Sequence, residues 1–159
     1  MKVLIVYDSI FGNTEQIALA ISNSFDSKEN AETCRASEIK PEQLIGLGLL
    51  IVGSPTRAFR PTKAITDFLK KISSNSLKGV KVADFDTRIS ITDVNSRLLN
   101  ILVKLFGYAA KPIADKLEKK GGGLVIPPEG FFVKDSEGPL KDGELKRATD
   151  WAKLIIKTQ

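Results

Sequence analysis

The run Val3-Leu4-Ile5-Val6-Tyr7, followed at once by Asp8-Ser9-Ile10-Phe11-Gly12-Asn13-Thr14, constrains this chain more than any other stretch. Five consecutive apolar residues bounded by turn residues read as a strand buried on both faces, which is the condition of a strand in a parallel sheet. The residues after it are small, polar or glycine, and an amphipathic segment opens at Thr14-Glu15. A strand, a tight turn and a helix start in that order aim backbone N–H groups at one point. A phosphate can bind there without any lysine.

Two absences narrow the chemistry. The chain has no histidine, which removes Ser-His-Asp and Cys-His catalysis, histidine metal sites and the commonest near-neutral general base. It has one cysteine, Cys34, too few for an intramolecular disulfide, a Cys₄ zinc site or a cysteine-held iron–sulfur cluster. The strand-like neighbours of Cys34 suit a small buried hydrophobe better than a reactive thiol. No metal site is expected, and any redox or group-transfer chemistry would fall to a bound cofactor.

The 159 residues suit a single domain, 1–159, with the composition of an ordinary soluble protein: 42% apolar and 27% charged. No apolar run reaches the roughly 18 residues a membrane span needs, and the first residues lack a signal-peptide pattern, so a cytoplasmic location is the expectation. The net charge of +5 favours anionic ligands. The basic residues are dispersed and not interleaved with aromatics, so nucleic acid is not the expected partner.

Apolar periodicity switches along the chain between strand-like and helical. Ile17, Ala18, Ile21 and Phe25 mark a helix over about Asn13–Asp26, and Ala31–Ala36 reads as a short edge strand. Leu44–Val52 reads as the next strand, ending in the turn Gly53-Ser54-Pro55-Thr56, after an irregular crossover around Glu38–Gln43. Pro61 suits a first helical turn, with Ala64, Ile65, Phe68, Leu69 and Ile72 as its inner stripe. Val80–Phe85 is a strand leading into Asp86-Thr87-Arg88. Ser96–Lys120 is helical with a break near Gly107, Leu124-Val125-Ile126 is the last strand, and Asp142–Lys157 is the last helix. Alternating strands and helices imply an α/β fold, a three-layer α-β-α doubly wound sandwich around a parallel sheet. Such sheets bind ligands at the carboxyl ends of their strands.

Three strand ends then matter: Asp8–Thr14, Ser54–Pro61 and Asp86–Thr92. In the first, Gly12 permits the tight turn while Ser9, Asn13 and Thr14 offer hydrogen bonds to phosphate oxygens. In the second, Pro55 stiffens the turn, and Thr56, Arg57, Ala58 and Phe59 can line a flat ring. In the third, Thr87, Arg88 and Ile89 can supply an opposite wall. Taken singly each has a plain reading, as a helix start, an ordinary turn or solvated arginines. Their joint placement after successive strands favours binding.

The segment Tyr7–Glu15 with Ile17-Ala18 resembles the phosphate loop of the flavodoxin superfamily. Gly53-Ser54-Pro55-Thr56-Arg57 is similar to the second loop of flavodoxin-like quinone reductases and of the flavodoxin domains of flavodiiron proteins. The resemblance implies a five-stranded parallel sheet of order 2-1-3-4-5. It also implies FMN as cofactor. Ser9, Phe11, Gly12, Asn13 and Thr14, with Ile10 in the same loop, would lie on the phosphate, and Pro55 to Phe59 beside the isoalloxazine. Electron-carrier flavodoxins stack a tryptophan and a tyrosine on that ring. Here the second loop offers only Phe59 and Asp86–Asp93 has no aromatic, while Trp151 reads as a core residue and Tyr108 first as a packing residue and second as a remote contributor to the ring. A cation near the ring, Arg57 or Arg88, would favour the reduced anion and suit two-electron exchange. The same arginines could dock NAD(P)H phosphates or an acidic redox partner.

The apolar segment Leu98–Phe106 reads first as core and second as a partner or homodimer surface. A receiver domain is excluded because the strand ending Val52-Gly53-Ser54-Pro55 lacks a phosphoacceptor aspartate. A cobalamin domain is excluded by the missing histidine, and a Rossmann fingerprint because Gly46-Leu47-Gly48 lies inside an apolar run. Two readings stay open: an FMN redox protein acting on a partner protein or a small acceptor such as a quinone, and a scaffold of the same fold that has weakened its flavin site and serves as an interaction module.

Overall fold

The computed structural model describes residues 1–26, 31–90 and 96–158. Strand β1 (Val3–Tyr7) is buried along its whole length, as its unbroken apolar run requires. It pairs in parallel with β2 (Ala31–Arg35) on one side and β3 (Leu49–Pro55) on the other. Strand β4 (Lys81–Ile89) pairs with β3 and, on its other side, with the two-residue β5 (Gly123–Leu124), giving the order β2-β1-β3-β4-β5 expected from the resemblance.

The fifth position departs from expectation. Only β5 (Gly123–Leu124) forms where Leu124–Ile126 was anticipated, and a second piece, β6 (Glu129–Val133), resumes pairing with the far half of β4. Pro127 and Pro128 fall between the two pieces and have no N–H for the ladder, so the strand must break there. Sequence periodicity missed β6, and β6 is the piece that reaches the carboxyl end of β4.

Helices α1 (Asn13–Ser22) and α5 (Glu144–Lys157) cover one face of the sheet, while α2 (Lys63–Lys71) and α4 (Ala110–Lys119) cover the other. Residues alternating along β1, β3 and β4 serve the two layers in turn. Ile5, Ile51, Ala83 and Phe85 pack with Ile17, Ile21, Trp151 and Ile155, and Leu4, Leu50 and Val82 pack with Phe68, Leu69, Ile113 and Leu117. Each such Leu or Ile contributes about 1.5–3 kcal/mol by leaving water. Phe85, Phe131 and Trp151 meet edge to face with centroids 5.8–6.2 Å apart, so Trp151 is a core residue as its helical position suggested.

Several boundaries move. The first helix stops at Ser22, short of Asp26. The expected strand Leu44–Val52 begins only at Leu49, because Pro41–Leu44 forms a single 3₁₀ turn in the irregular crossover, and it continues through Gly53 and Ser54 to Pro55. Strand β4 likewise runs on to Ile89, so Asp86, Thr87 and Arg88 belong to a strand end where a loop was expected. Ile91, Thr92 and Asp93 of the anticipated third loop lie outside the described residues.

Helix α3 (Arg97–Phe106) overturns the first reading of its apolar segment. Leu98, Ile101 and Leu105 are 67%, 53% and 71% exposed, and Leu99, Leu102 and Val103 are only half-buried. The segment edges the fold and is not core.

Candidate functional site

The site is assembled from the carboxyl ends of β1, β3, β4 and β6. At the first, Gly12 takes φ +87°, a conformation that side chains other than glycine adopt only with strain, and it turns the chain into α1. Its N–H is held at 3.1 Å by the Ser9 hydroxyl, and the Ser9 N–H donates to the Asp8 carboxylate at 2.9 Å, so the loop is braced by its own side chains. No side chain caps the first turn of α1, as is also so of α4 and α5, whereas Thr62 and Ser96 cap α2 and α3. Asn13 and Thr14, the first residues of α1, are buried yet line the cavity. An uncapped helix start opening into a cavity has unpaired N–H groups of the kind an anion can use.

Two contacts knit this loop to distant strands. The Thr14 and Thr87 hydroxyls are 2.8 Å apart, in the protein interior. The Asn13 amide donates to the Glu137 carbonyl at 3.0 Å, tying this first loop to the segment after β6. Gly138, at φ +104°, packs so closely on Asn13 that a Cβ there would lie 2.5 Å from its amide oxygen.

The second loop is a tight turn. Arg57 and Arg60 exchange both backbone hydrogen bonds, at 2.9 and 3.0 Å, around Ala58 (φ +46°) and Phe59 (φ +65°). Positive φ at both central residues is the habit of a type I′ turn, which usually employs Asn-Gly. Thr62 donates its N–H to the Ser54 hydroxyl at 3.0 Å, and the Thr56 N–H donates to the Thr87 carbonyl at 2.9 Å, so the turn is anchored at its base. Arg57 is exposed, its guanidinium 5.6 Å from the Phe11 ring centre.

Arg88 is not the unpaired cation anticipated. Its guanidinium grips both oxygens of fully buried Asp86, at 2.5 and 2.8 Å, and stacks 3.8 Å from the centre of the Tyr108 ring. Asp86 also accepts the Ala110 N–H at 2.9 Å at the start of α4, and the Thr56 hydroxyl accepts the Ala109 N–H at 3.0 Å. Burial holds the Asp86 carboxyl above the usual carboxylate range, with Arg88, the Ala110 N–H and the Thr56 hydroxyl opposing the rise. Arg88 is thereby a wall element whose charge is locally cancelled, which leaves Arg57 as the cation without such a partner among the described lining residues. Tyr108 is drawn into the site region through Arg88.

One cavity of about 300 Å³ lies where these ends converge. Of the fourteen residues anticipated, Ser9, Ile10, Phe11, Asn13, Thr14, Pro55, Thr56, Arg57, Ala58, Thr87, Arg88 and Ile89 line it. Gly12 shapes the loop without lining it, and Phe59 faces a neighbouring cavity. No carboxylate is among the described lining residues, which suits an anionic ligand. Sequence reasoning missed Val133 and Ser136, which complete the wall from the end of β6. The turn-rich Asp135-Ser136-Glu137-Gly138-Pro139 following Phe131-Phe132-Val133 was the available signal.

It also missed Arg35. From the last position of β2 this half-buried side chain donates to the Ser9 carbonyl at 3.1 Å and to Glu15 at 2.9 Å, and lies over the Tyr7 ring. Tyr7 donates its hydroxyl to the same Glu15 at 2.7 Å, and burial with that bond pushes its pKa up to about 12. Nothing in an edge-strand arginine marks it as a brace for a loop 26 residues earlier.

Comparison with known proteins finds the same architecture in solved structures. A flavodoxin from the domain Archaea superposes with a TM-score of 0.77 at 23% identity, covering 99% of both chains. Oxidised flavodoxin 2 from Bacillus cereus gives 0.76 at 23% identity over the whole of both chains. A WrbA-like flavodoxin from Agrobacterium tumefaciens gives 0.69 at 17% identity, covering 99% of this chain and 96% of that one. No protein-family model matches the sequence, and no curated protein matches it. The fold is therefore flavodoxin-like, and its cavity lies at the carboxyl edge of the sheet. Among the described residues, no helix is long and apolar enough to cross a membrane.

Proposed function

We propose that this chain is an FMN-binding redox protein, and that the bound flavin passes electrons to a partner protein or a small acceptor such as a quinone. The observation that carries the reading is the convergence of three sequence-distant segments, Ser9–Thr14, Pro55–Ala58 and Thr87–Ile89, on one cavity beside an uncapped helix start. The structural neighbours bearing the flavodoxin name support it. Ser9, Asn13, Thr14 and the first-turn N–H groups of α1 would hold the phosphate. Pro55 to Ala58 on one side and Thr87 to Ile89 on the other would flank the ring. The flavin, when bound, supplies reversible one- and two-electron chemistry; the chain's task is to bind, orient and bias it.

Titration of the purified protein with FMN tests this. Saturable quenching of flavin fluorescence and a shifted flavin absorbance are the expected result. One observation favours the rival scaffold reading: among the described residues Phe11 is the only aromatic lining the cavity, so stacking on the ring is thin. A colourless protein that leaves FMN fluorescence unchanged would decide for the scaffold.

Arg35→Ala removes a charged hydrogen bond to the loop at Ser9 while leaving every cavity-lining residue in place. Loss of such a bond is worth about 1–2 kcal/mol, so FMN affinity should weaken about tenfold. Fluorescence titration of the variant beside the parent checks this.

A further inference from the structure

Helix α3 carries apolar side chains on two sides. Leu99 and Val103 face inward, onto a cavity of about 210 Å³ that they share with Phe59 and Tyr108. Leu98, Ile101 and Leu105 are each more than half exposed and recur at i, i+3 and i+7, so they form one ridge along the helix. Arg97 and Lys104, also exposed and seven residues apart, stand along one border of that ridge.

We propose that α3 docks this protein on a bilayer surface containing anionic phospholipid. The helix lies in the plane of the interface, with Leu98, Ile101 and Leu105 among the upper acyl chains and Arg97 and Lys104 at the headgroups. None of these five residues lines the main cavity or the one behind α3, so the proposal stands independently of the flavin reading.

Charge selects this occupant. Helix α3 contains no carboxylate, and the chain has none between Asp93 and Asp115. Arg60, one residue beyond Phe59 in the loop that faces α3 across the cavity, is exposed and adds a third cation to this edge. A second copy seated ridge to ridge would bring the α3 cations of both chains together, with no carboxylate on either helix to separate them. An acidic protein would match the charge, but the ridge is purely aliphatic. It has no tyrosine, tryptophan or hydrogen-bonding group within it to anchor a partner and fix its register. Leucine and isoleucine bordered by arginine and lysine, whose long stems reach toward the headgroups, suit a helix lying in a membrane interface.

Flotation with vesicles tests the proposal. The protein should bind mixed phosphatidylcholine and phosphatidylglycerol vesicles and not pure phosphatidylcholine, with binding falling as salt rises. Arg97→Gln with Lys104→Gln should weaken partitioning about twenty-five-fold, at about fivefold per cation. Leu98→Gln with Ile101→Gln and Leu105→Gln should weaken it about tenfold or more, which attraction by charge alone would not produce. All five positions are exposed and glutamine is a good helix former, so circular dichroism should find both variants folded. In anionic bicelles doped with spin-labelled lipid, the methyl NMR signals of Leu98, Ile101 and Leu105 should broaden. Those of Leu19 and Leu154, exposed on α1 and α5, should stay sharp and serve as the control. No binding to anionic vesicles, equal binding to neutral ones, or broadening that spares α3 overturns the proposal. Binding that needs the two cations but survives the triple aliphatic change points to an acidic protein partner and overturns the lipid assignment. Dimers that the triple change abolishes, without vesicle binding, decide for a second copy and overturn it as well.

Discussion

Replacing Gly53 by alanine should cost about 3 kcal/mol of stability, among the largest losses available from a single methyl group in this chain. Gly53 sits inside β3 directly beside Phe85 of β4 in the parallel register. A Cβ there would lie 2.1–2.6 Å from three atoms of the Phe85 ring. The ring cannot step aside, because Phe85 is fully buried and meets Phe131 and Trp151 edge to face. Gly53 is thus the vacancy across which the central aromatic lies. Urea denaturation followed by fluorescence of Trp151, the sole tryptophan, measures the loss. Shortening the ring should relieve the clash, so Gly53→Ala with Phe85→Leu should be less destabilised than the two single changes summed. A loss below about 1 kcal/mol for Gly53→Ala would contradict this packing account.

The second large effect depends on pH. Asp84, in the middle of β4, is fully buried, and neither of its oxygens has a hydrogen-bond partner among the described residues. Desolvation is the first cause of a pKa pushed up to about 8, with repulsion from Asp86, Asp115 and Glu118 adding to it and Arg88 opposing it. A folded-state value above the unfolded one means that the folded chain keeps the proton longer. This contribution to stability is therefore fully present below about pH 4 and is lost as pH rises to about 8. The slope is about 1.4 kcal/mol per pH unit, so the loss across the window is of order 5 kcal/mol. Asp84→Leu keeps the number and branching of the side-chain heavy atoms, places an apolar group among Val52, Val82 and Leu50 on that face of the sheet, and removes the titration. The variant should be several kcal/mol more stable than the parent at pH 9 and differ little at pH 4. Denaturant melts at a series of pH values check both slopes, and parallel curves would rule out the assignment.

The alternation of strands and helices and the first loop were legible from sequence because both rest on local signals, whereas the sheet order came from the resemblance that the first loop carries. Val3–Tyr7 is apolar without interruption, and Gly12 marks the turn that opens α1. What escaped detection depends on contacts between distant residues. Strand β6 is hidden by Pro127-Pro128, whose break looks like the end of the strand and not a pause in it. Arg35 acts on Ser9 across two strands, and Val133 and Ser136 reach the cavity only because β6 pairs with β4. Arg88 was visible as a cation, but its partner Asp86 two residues earlier changes its meaning: alternation puts both side chains on one face of β4, and the pair cancels. Helix α3 was misread because apolar content alone does not say whether a sheet face remains to cover it.

The central claim is that the cavity holds FMN with its phosphate at Ser9–Thr14, and comparing the affinities of FMN and riboflavin tests it most directly. The two differ only in the phosphate, for which the loop offers the uncapped start of α1 and the side chains of Ser9, Asn13 and Thr14. Two or more charge-assisted hydrogen bonds at about 1.5–3 kcal/mol each predict FMN binding at least about a hundredfold tighter than riboflavin. Equal affinities, or no binding of either flavin, would contradict the account.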